Sequence, residues 1–523
     1  MKSRHIIVLA VVLSAILACM QPGRLAAQNG QTLAPYHWGF EYFRDWRLRH
    51  PVDSLFVKTW PLLYQQAEQV FRSQQARTGY ERFLKDRFLA DAGGYGVMRG
   101  KTKQRPFLQL GARLVEDAGR ISDELRSRMV LRLLTGVAFS DRLTIFNAMA
   151  LDQRLRDDPD YQGKEWRGLT AITEQAYVNY HTPRWSVKFG RDYILLSPGE
   201  DAALTVSDAS RPFDLLQVQM RARRAQFTYI TTKLNTITLS DSTAERLMTP
   251  WAQRYMSVGR VEFAFRDYRM QLGLTQTILY GGTRGFEWYY LNPFIAWHGE
   301  QLNEPQDLRA NTMGAVDLTI FPTEGVEIYS QLLIDDIQVE KKSVGDLEPN
   351  EIGMLFGLRF ADPGPLQGVT LGAEYTRVTN RTYNTVPEAE KYVHRNKPIG
   401  HFLGNDFDRY LLYSRIFLPP SWLIKIRAEY RRHGEGRVNV PFDMPWREYT
   451  LEQGYSEPFP FGIVETTRIA EASVRWHPRS AMFGALTVRY TSANNWQNLT
   501  GSTLNRFEVF LSVWLEWQGF GEI

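Results

Sequence analysis

The strongest constraint in this chain is a two-residue alternation that recurs along most of its length and is clearest near the end. From Arg506 to Trp517, Phe507, Val509, Leu511, Val513, Leu515 and Trp517 share one face, while Glu508, Ser512 and Glu516 fall on the other. Such a segment is a strand with oil on one side and water on the other. The same pattern sets Leu486, Val488 and Tyr490 against Thr487, Arg489 and Thr491. It also sets Trp422, Ile424, Ile426, Ala428 and Tyr430 against Lys425, Arg427, Glu429 and Arg431. Many such segments of about ten residues are what a transmembrane β-barrel requires, because lipid pairs with no backbone group and only a closed sheet or a helix satisfies its own.

The first residues point to export. Lys2 and Arg4 precede an apolar run from Ile6 to Ala18, and Leu25-Ala26-Ala27 precede Gln28, which is the pattern of a secretory signal over residues 1–27. Ile16-Leu17-Ala18-Cys19 partly resembles a lipoprotein signal, the alternative reading of the same segment. Cys19 is the one cysteine of the chain, so the exported part holds no disulfide and no thiolate metal site. Losing Lys2, Arg4 and Arg24 lowers the formal charge from +5 to +2, and only the distribution of charge then speaks about partners. Beyond the signal no apolar run reaches the length of a spanning helix. Mean hydropathy is −0.34 and aromatics make up 13%. A barrel hides its lipid face in alternation and stays polar on average. A soluble sandwich or propeller would turn the same alternation toward a core, but arginines opposite the apolar face and aromatics at strand ends favour a wet lumen and interfacial girdles.

Between Ala34 and Gly94 the period becomes helical. Leu63, Ala67, Val70 and Phe71 share one face, as do Tyr80, Leu84 and Phe88, with Pro61 placed for a first helical turn and Gly79 and Gly93-Gly94 as breaks. Residues 28–104 are thus expected to form two or three helices that plug or cap the periplasmic end of a barrel over residues 105–523. From 107–116 to 505–517 nineteen segments qualify as strands, whereas single-chain bacterial barrels carry even numbers. Short turns are read at Ser140-Asp141, Thr182-Pro183, Arg223-Arg224 and Arg266-Asp267 from the front. From the back they are read at Pro478-Arg479-Ser480, Pro419-Pro420-Ser421, 361–365 and Pro322-Thr323-Glu324. The two phases disagree by one strand between 281 and 308. Removing 286–298 restores both and leaves eighteen strands, with Glu287–Pro305 in a long extracellular loop that folds against the wall or into the mouth.

With that orientation Arg126, Arg128, Arg132, Arg221, Arg223, Arg269, Arg427, Arg431, Arg475 and Arg489 face the lumen, where guanidinium groups suit carboxylates, phosphates and sugar hydroxyls. Equally, they pair with interior acids such as Glu429, Glu471, Glu508 and Glu516. At the extracellular end fall Arg191, Glu200, Trp297, His298, Gln301, Asn303, Asp335, Asp336 and Asp406, an aromatic, amide and carboxylate mixture of the kind that grips sugars. Asp335-Asp336 would share a Ca²⁺ only if the strand has ended there, since alternation puts adjacent residues on opposite faces. No nucleophile elbow, phosphate-cradling glycine loop or zinc-protease helix occurs, so neither an enzyme nor a cofactor or metal is expected. Nucleic acid has no support beyond the arginines.

Val187-Lys188-Phe189-Gly190-Arg191, Leu195-Leu196-Ser197, Ser207-Asp208-Ala209, Tyr290-Leu291-Asn292-Pro293-Phe294 and Leu332-Leu333-Ile334-Asp335-Asp336, in this order over residues 105–517, resemble the capsule assembly Wzi family. The resemblance implies an eighteen-stranded barrel of the bacterial outer membrane with a periplasmic helical region. It also implies a lectin-like role in holding capsular or other exported polysaccharide at the cell surface. Its motifs nominate Arg191, Asn292, Asp335 and Asp336. Two departures stand out: the 434–465 loop is long, and Arg191 falls on the apolar side of its strand unless Gly190 marks a bulge. The expected surroundings are polysaccharide, outer-membrane lipid and lipopolysaccharide around a monomeric barrel. A porin or exporter for anionic solutes or glycans, and an outer-membrane enzyme on lipid or glycan, are the competing functions.

Overall fold

A computed structural model describes residues 30–51, 55–96, 107–121, 124–140, 142–161, 163–282, 285–301, 310–339 and 342–522. The segment expected to be a signal lies outside these.

Eighteen antiparallel strands close into one barrel. They are β1 (Phe107–Ile121), β2 (Glu124–Ala138), β3 (Leu143–Asp152), β4 (Thr170–His181), β5 (Trp185–Asp192), β6 (Phe213–Arg221), β7 (Ala225–Lys233), β8 (Trp251–Phe265), β9 (Met270–Gly282), β10 (Ala310–Ile320), β11 (Val326–Asp336), β12 (Glu351–Ala361), β13 (Val369–Val378), β14 (Phe407–Leu418), β15 (Trp422–His433), β16 (Glu465–Arg479), β17 (Met482–Asn494) and β18 (Thr503–Glu522). Each pairs with its neighbours in sequence, and β18 pairs with β1 from Phe107↔Glu522 to Arg120↔Val509, so no sheet edge is left open. The short turns fall where the two phases placed them, with Asp141 of the first lying outside the described residues, and 286–298 is indeed not a strand but two short helical turns in a loop.

Alternation decides the two surfaces. On β15, Trp422 and Ile426 are exposed outward, whereas Leu423 is buried and Lys425, Arg427 and Glu429 bond groups inside. On β18 the outer Phe507 and Leu511 are exposed while the inner Glu508 and Trp514 are buried. No helix among the described residues is long and apolar enough to cross a membrane.

Three helices, α1 (Trp38–Arg49), α2 (Tyr64–Ser73) and α3 (Gly79–Gly96), enter the bore from the end that carries the short turns. The predicted helical faces are the packed ones: Ala67, Val70, Phe71, Tyr80, Leu84 and Phe88 are buried, together with Trp38, Phe43 and Trp46 of α1 and inward residues Val115, Val130, Leu423, Phe483 and Trp514 of the wall. Pro61 lies two residues before the cap Leu63, whose N–H donates to Gln66 Oε1 at 3.2 Å. At the start of α1, Gly39 donates to His37 Nδ1 at 3.1 Å, which satisfies one of the unpaired N–H groups of a first turn.

From the opposite end the long β5–β6 connection, residues 193–212, dips into the bore and meets the N-terminal segment. Thr59↔Leu196 and Trp60↔Leu195 form a short antiparallel ladder across the axis, and Ser197 donates to the Lys58 carbonyl at 3.1 Å. Beside this ladder sits the central ionic knot. Glu200 accepts from Arg44 of α1 (2.8 Å), Arg359 of β12 (3.2 Å), Arg415 of β14 (3.0 Å) and the Tyr413 hydroxyl (2.8 Å). Burial alone would raise this carboxyl; Arg44, Arg415 and Arg359 instead hold it well below the usual range.

Removing one partner of a buried ion cluster costs about 3–5 kcal/mol, because the others are left charged and dry. Glu200→Ala is therefore expected to lower the thermal unfolding temperature measured by heat-modifiable gel migration, and to raise conductance in a planar bilayer by loosening plug from loop.

Candidate functional site

The long-loop end is built in layers. Above the β5–β6 insert lies the β13–β14 connection, residues 379–406, which buries Tyr383, Tyr392 and Ile399 against Leu196, Leu204, Met256 and Leu333. Arg254 of β8 is fully buried and holds this connection by donating to three carbonyls, Ala389 (2.7 Å), Val393 (2.8 Å) and Lys391. Tyr383 donates through its hydroxyl to the Leu204 carbonyl at 2.5 Å, which ties the layers together. The β15–β16 connection, residues 434–464, then folds over both. Asp406 pins it by accepting from Phe461 N–H and Gly436 N–H, each at 2.9 Å. Arg381 adds bonds to Asp443 (2.9 Å) and Glu457 (2.7 Å).

At the lip an acidic corner forms. The β11–β12 register shifts between Ile334 and Asp336, a bulge that frees Asp335 from alternation and sets Asp336 opposite Glu351. Asp335 accepts from the Tyr383 N–H at 2.6 Å and Asp336 from Gln338 Nε2 at 3.0 Å. Glu348 completes the corner. Burial, and then the charge of Asp336, push its carboxyl up to about 7. Burial likewise pushes Asp406 up to about 6 against the pull of its two amide donors.

The sequence candidates divide by place. Asp335, Asp336 and Asp406 meet at this mouth, Asp406 as a loop pin. Arg191 does not: no bulge rescues it, and its guanidinium lies on the outer wall with Asp214 of β6 at 2.7 Å. Gly190 instead has φ +131, and a Cβ there would lie 2.2 Å from the Ala176 carbonyl oxygen. The bulge lies on β4, where the β3 register skips Glu174, and both Glu174 and Gln175 turn inward.

Asn292, Trp297 and His298 are also absent from the mouth. Their loop folds down the outer face of β7–β10. Trp297 is fully buried near Gly259, with its indole donating to the Asn292 carbonyl at 3.2 Å. The amide of Gln276, an outward residue, donates to the carbonyls of Pro293 (3.3 Å) and Ile295 (3.0 Å). His298 Nδ1 bonds Thr312 at 2.9 Å, and Phe294 stacks on the outward Phe227 at 5.5 Å. A polar amide on a lipid-facing wall needs such partners, which is why this strap covers it. Asn303 lies outside the described residues, as does the side chain of Gln301.

The arginines of the wall are mostly neutralised. Arg132 pairs with Glu174 (2.7 Å), Arg427 with Asp201 (2.6 Å) and Glu429 (2.7 Å), Arg431 with Glu429, and Arg489 with Glu471 (2.5 Å). Arg475 lies 3.8 Å from Glu41. Arg126 and Arg128 reach the rim and pair with Glu124 and Asp157, both at 2.8 Å. Arg269 does not line the lumen, because it sits in the exposed β8–β9 turn, where strand parity no longer applies. Arg223 is likewise an exposed turn residue, while Arg221 faces inward against Gln226 (2.7 Å) and Gln219 (3.0 Å).

Sequence reasoning missed Arg381, Tyr383, Glu348 and Glu351, which only the loop fold brings to the acidic corner. It also missed a buried group at the other end, where His37 Nε2 lies 3.7 Å from Asp91 and 3.8 Å from Glu516. Because His37 Nδ1 already accepts from Gly39, Nε2 of the neutral ring carries the hydrogen and has no lone pair for a metal. Burial holds that imidazole down at about 4.

The sequence profile described as "Capsule assembly protein Wzi" matches residues 102–506. No curated protein sequence matches. Among solved structures, Wzi of Escherichia coli, an outer membrane protein involved in group 1 capsule assembly and described as a carbohydrate-binding β-barrel, is similar with a TM-score of 0.60 and 16% identity, over 93% of this chain and 99% of that one. OprD of Pseudomonas aeruginosa gives a TM-score of 0.44 at 10% identity over 79% of this chain and 95% of that one. OccK1 (OpdK) of the same organism gives 0.45 at 10% over 79% and 99%.

Two expectations follow. Trp288 and Phe294 are each 79% exposed on the outer strap; Trp288→Phe should remove a fluorescence component quenched by brominated lipid, whereas the buried Trp297 contributes little to it. Glu348 and Asp406 ionise later in the folded state than in the unfolded one, so the mouth is most stable below about pH 4 and weakens as pH rises toward 7. Hydrogen-exchange protection, corrected for the intrinsic pH dependence of exchange, should thus be lower at pH 8 than at pH 5.5 in 335–339, 342–351 and 434–464, and Glu348→Gln should flatten that difference in the first two segments.

Proposed function

The chain belongs to the capsule assembly Wzi family, and from that premise we propose that it is a lectin-like barrel of the outer membrane that holds exported polysaccharide at the cell surface. In this reading the end that holds the N-terminal helices, the start of β1 and the end of β18 is the periplasmic one. The layered long loops define the outer one. The observation that carries the reading is the ladder of Thr59–Trp60 with Leu195–Leu196: plug and outer loop join by backbone hydrogen bonds across the axis, backed by the Glu200 knot. An exporter or porin needs a continuous wet path, which this arrangement fills. Binding at a rigid surface needs a filled and ordered mouth, which it supplies.

The groups left to meet a glycan are rings and charges on the loop rim. Trp166 is 68% exposed with the Arg167 guanidinium over its ring at 5.3 Å, and Tyr449 is 42% exposed beside Tyr455. Rings of this kind stack on sugar faces, while the Asp335–Asp336 corner accepts hydroxyl hydrogens. The reading is that of a binder, with the carboxylates as hydrogen-bond acceptors rather than as acid and base.

The test is conductance of the purified mature protein in a planar bilayer, together with binding of purified acidic capsular polysaccharide. Closed channels with saturable binding that weakens at least fivefold in Trp166→Ala/Tyr449→Ala and in Asp335→Ala are expected. A steady nanosiemens-scale current blocked by anions would overturn the reading in favour of a porin.

A further inference from the structure

At the short-turn end, away from the mouth, a cavity of about 950 Å³ opens between α2 and the wall. That volume is at the upper end for small-molecule sites and is suited to several sugar units. The turns β2–β3 and β4–β5 bring Arg142 and Arg184 to its rim, the β6–β7 turn brings both Arg223 and Arg224, and Arg221 faces it from β6, while the β8–β9 turn contributes Asp267 and Tyr268. Asp267 is the one acid of the lining among the described residues, 3.8 Å from Arg224.

Elsewhere inside this barrel most guanidinium groups are matched by carboxylates, with Arg254, held by three loop carbonyls, as an exception. Arg260 has Asp317 and Glu262, Arg359 has Glu200 and Glu327, Arg415 has Asp45 and Glu200, and Arg113 has Glu516. At the cavity that rule lapses. Arg142, Arg184 and Arg223 have no carboxylate partner among the described residues, and Arg221 is held only by the amide oxygens of Gln226 and Gln219. The rest of the lining mixes apolar groups such as Leu55, Val70 and Trp185 with amides and hydroxyls, with Gln65, Gln66 and Gln69 of α2 opposite Thr182 and Ser186 of the β4–β5 hairpin. A cluster of unneutralised guanidinium forks facing neutral donors and acceptors is complementary to an acidic group on a polyhydroxylated body.

We propose that this cavity is a second binding site, which takes a segment of an anionic sugar chain, with its acidic group on Arg184, Arg221 and Arg223 and its hydroxyls on the α2 glutamines. The site stands apart from the mouth and does not depend on it. In the orientation proposed above, on which this point rests, it faces the compartment from which an exported chain would arrive.

The probes are a hyaluronan-derived tetrasaccharide, which carries uronate carboxylates, maltotetraose, which carries none, and inorganic phosphate. Binding to the full mature protein in detergent is read by calorimetry. Saturable binding of the acidic tetrasaccharide, weakened by salt and at least tenfold weaker in Arg184→Gln/Arg223→Gln, is expected. That variant alters only exposed turn residues and so keeps the fold; Arg221→Gln, checked for an unchanged unfolding temperature, should weaken binding similarly. The same tenfold loss on adding Arg184→Gln/Arg223→Gln is expected in a Trp166→Ala/Tyr449→Ala background, where the mouth contribution is already removed, which separates failure here from failure at the mouth. Equal binding of maltotetraose, full competition by phosphate at equal concentration, or loss confined to the mouth variant would each overturn the proposal.

Discussion

Glu200 is the point on which the architecture turns. A carboxylate in the middle of a wide barrel is costly to dehydrate, and it is tolerated because three guanidinium groups and a hydroxyl converge on it from a helix and from β12 and β14, the two neighbours of β13. The same convergence fixes the position of the plug relative to the wall and of the outer loop relative to both. Around it the second acid, Asp201, ties Arg409 (2.8 Å) and Arg427 (2.6 Å), and Glu41 of α1 reaches Lys425. A broad barrel cannot fill itself with wall side chains alone; here inserted segments fill it, and ionic contacts give them register.

Much of this was legible in the sequence. Alternation located the wall strands, and turn lengths exposed the one false strand, because both signals are local and follow directly from the pleat and from the asymmetry of barrel connections. The helices were legible for the same reason: positions such as Ala67, Phe71, Leu84 and Phe88 recur at the helical period and are the buried ones.

The site was less legible, and particular residues say why. The strand parity of Arg191 was correct as first read, outward; the family-like motif around it pulled the residue toward the mouth, whereas Gly190 keeps the strand close to Ala176. Trp297 and His298 belong to a loop rich in rings, and a ring-rich loop is equally at home in a mouth or on an oily outer wall. Gln276, an amide stranded on the outer face, is the residue whose hydrogen bonds decided between them. Arg381 and Glu348 come together only through loops of low periodicity, which carry no local signal of where they fold.

The ring of strands and its filling share a seam. On β1 and β18, the paired residues Arg113 and Glu516 both turn inward, and Glu516 faces His37 at the start of α1. The two chain-distant strands that finish the cylinder therefore finish it against the helices. Closure and filling share their contacts, since the Arg113–Glu516 pair of the seam is buried against Tyr36 and His37. The plug thus shares the seam with the wall: one carboxylate, Glu516, both joins the last strand to the first through Arg113 and meets the N-terminal helix at His37.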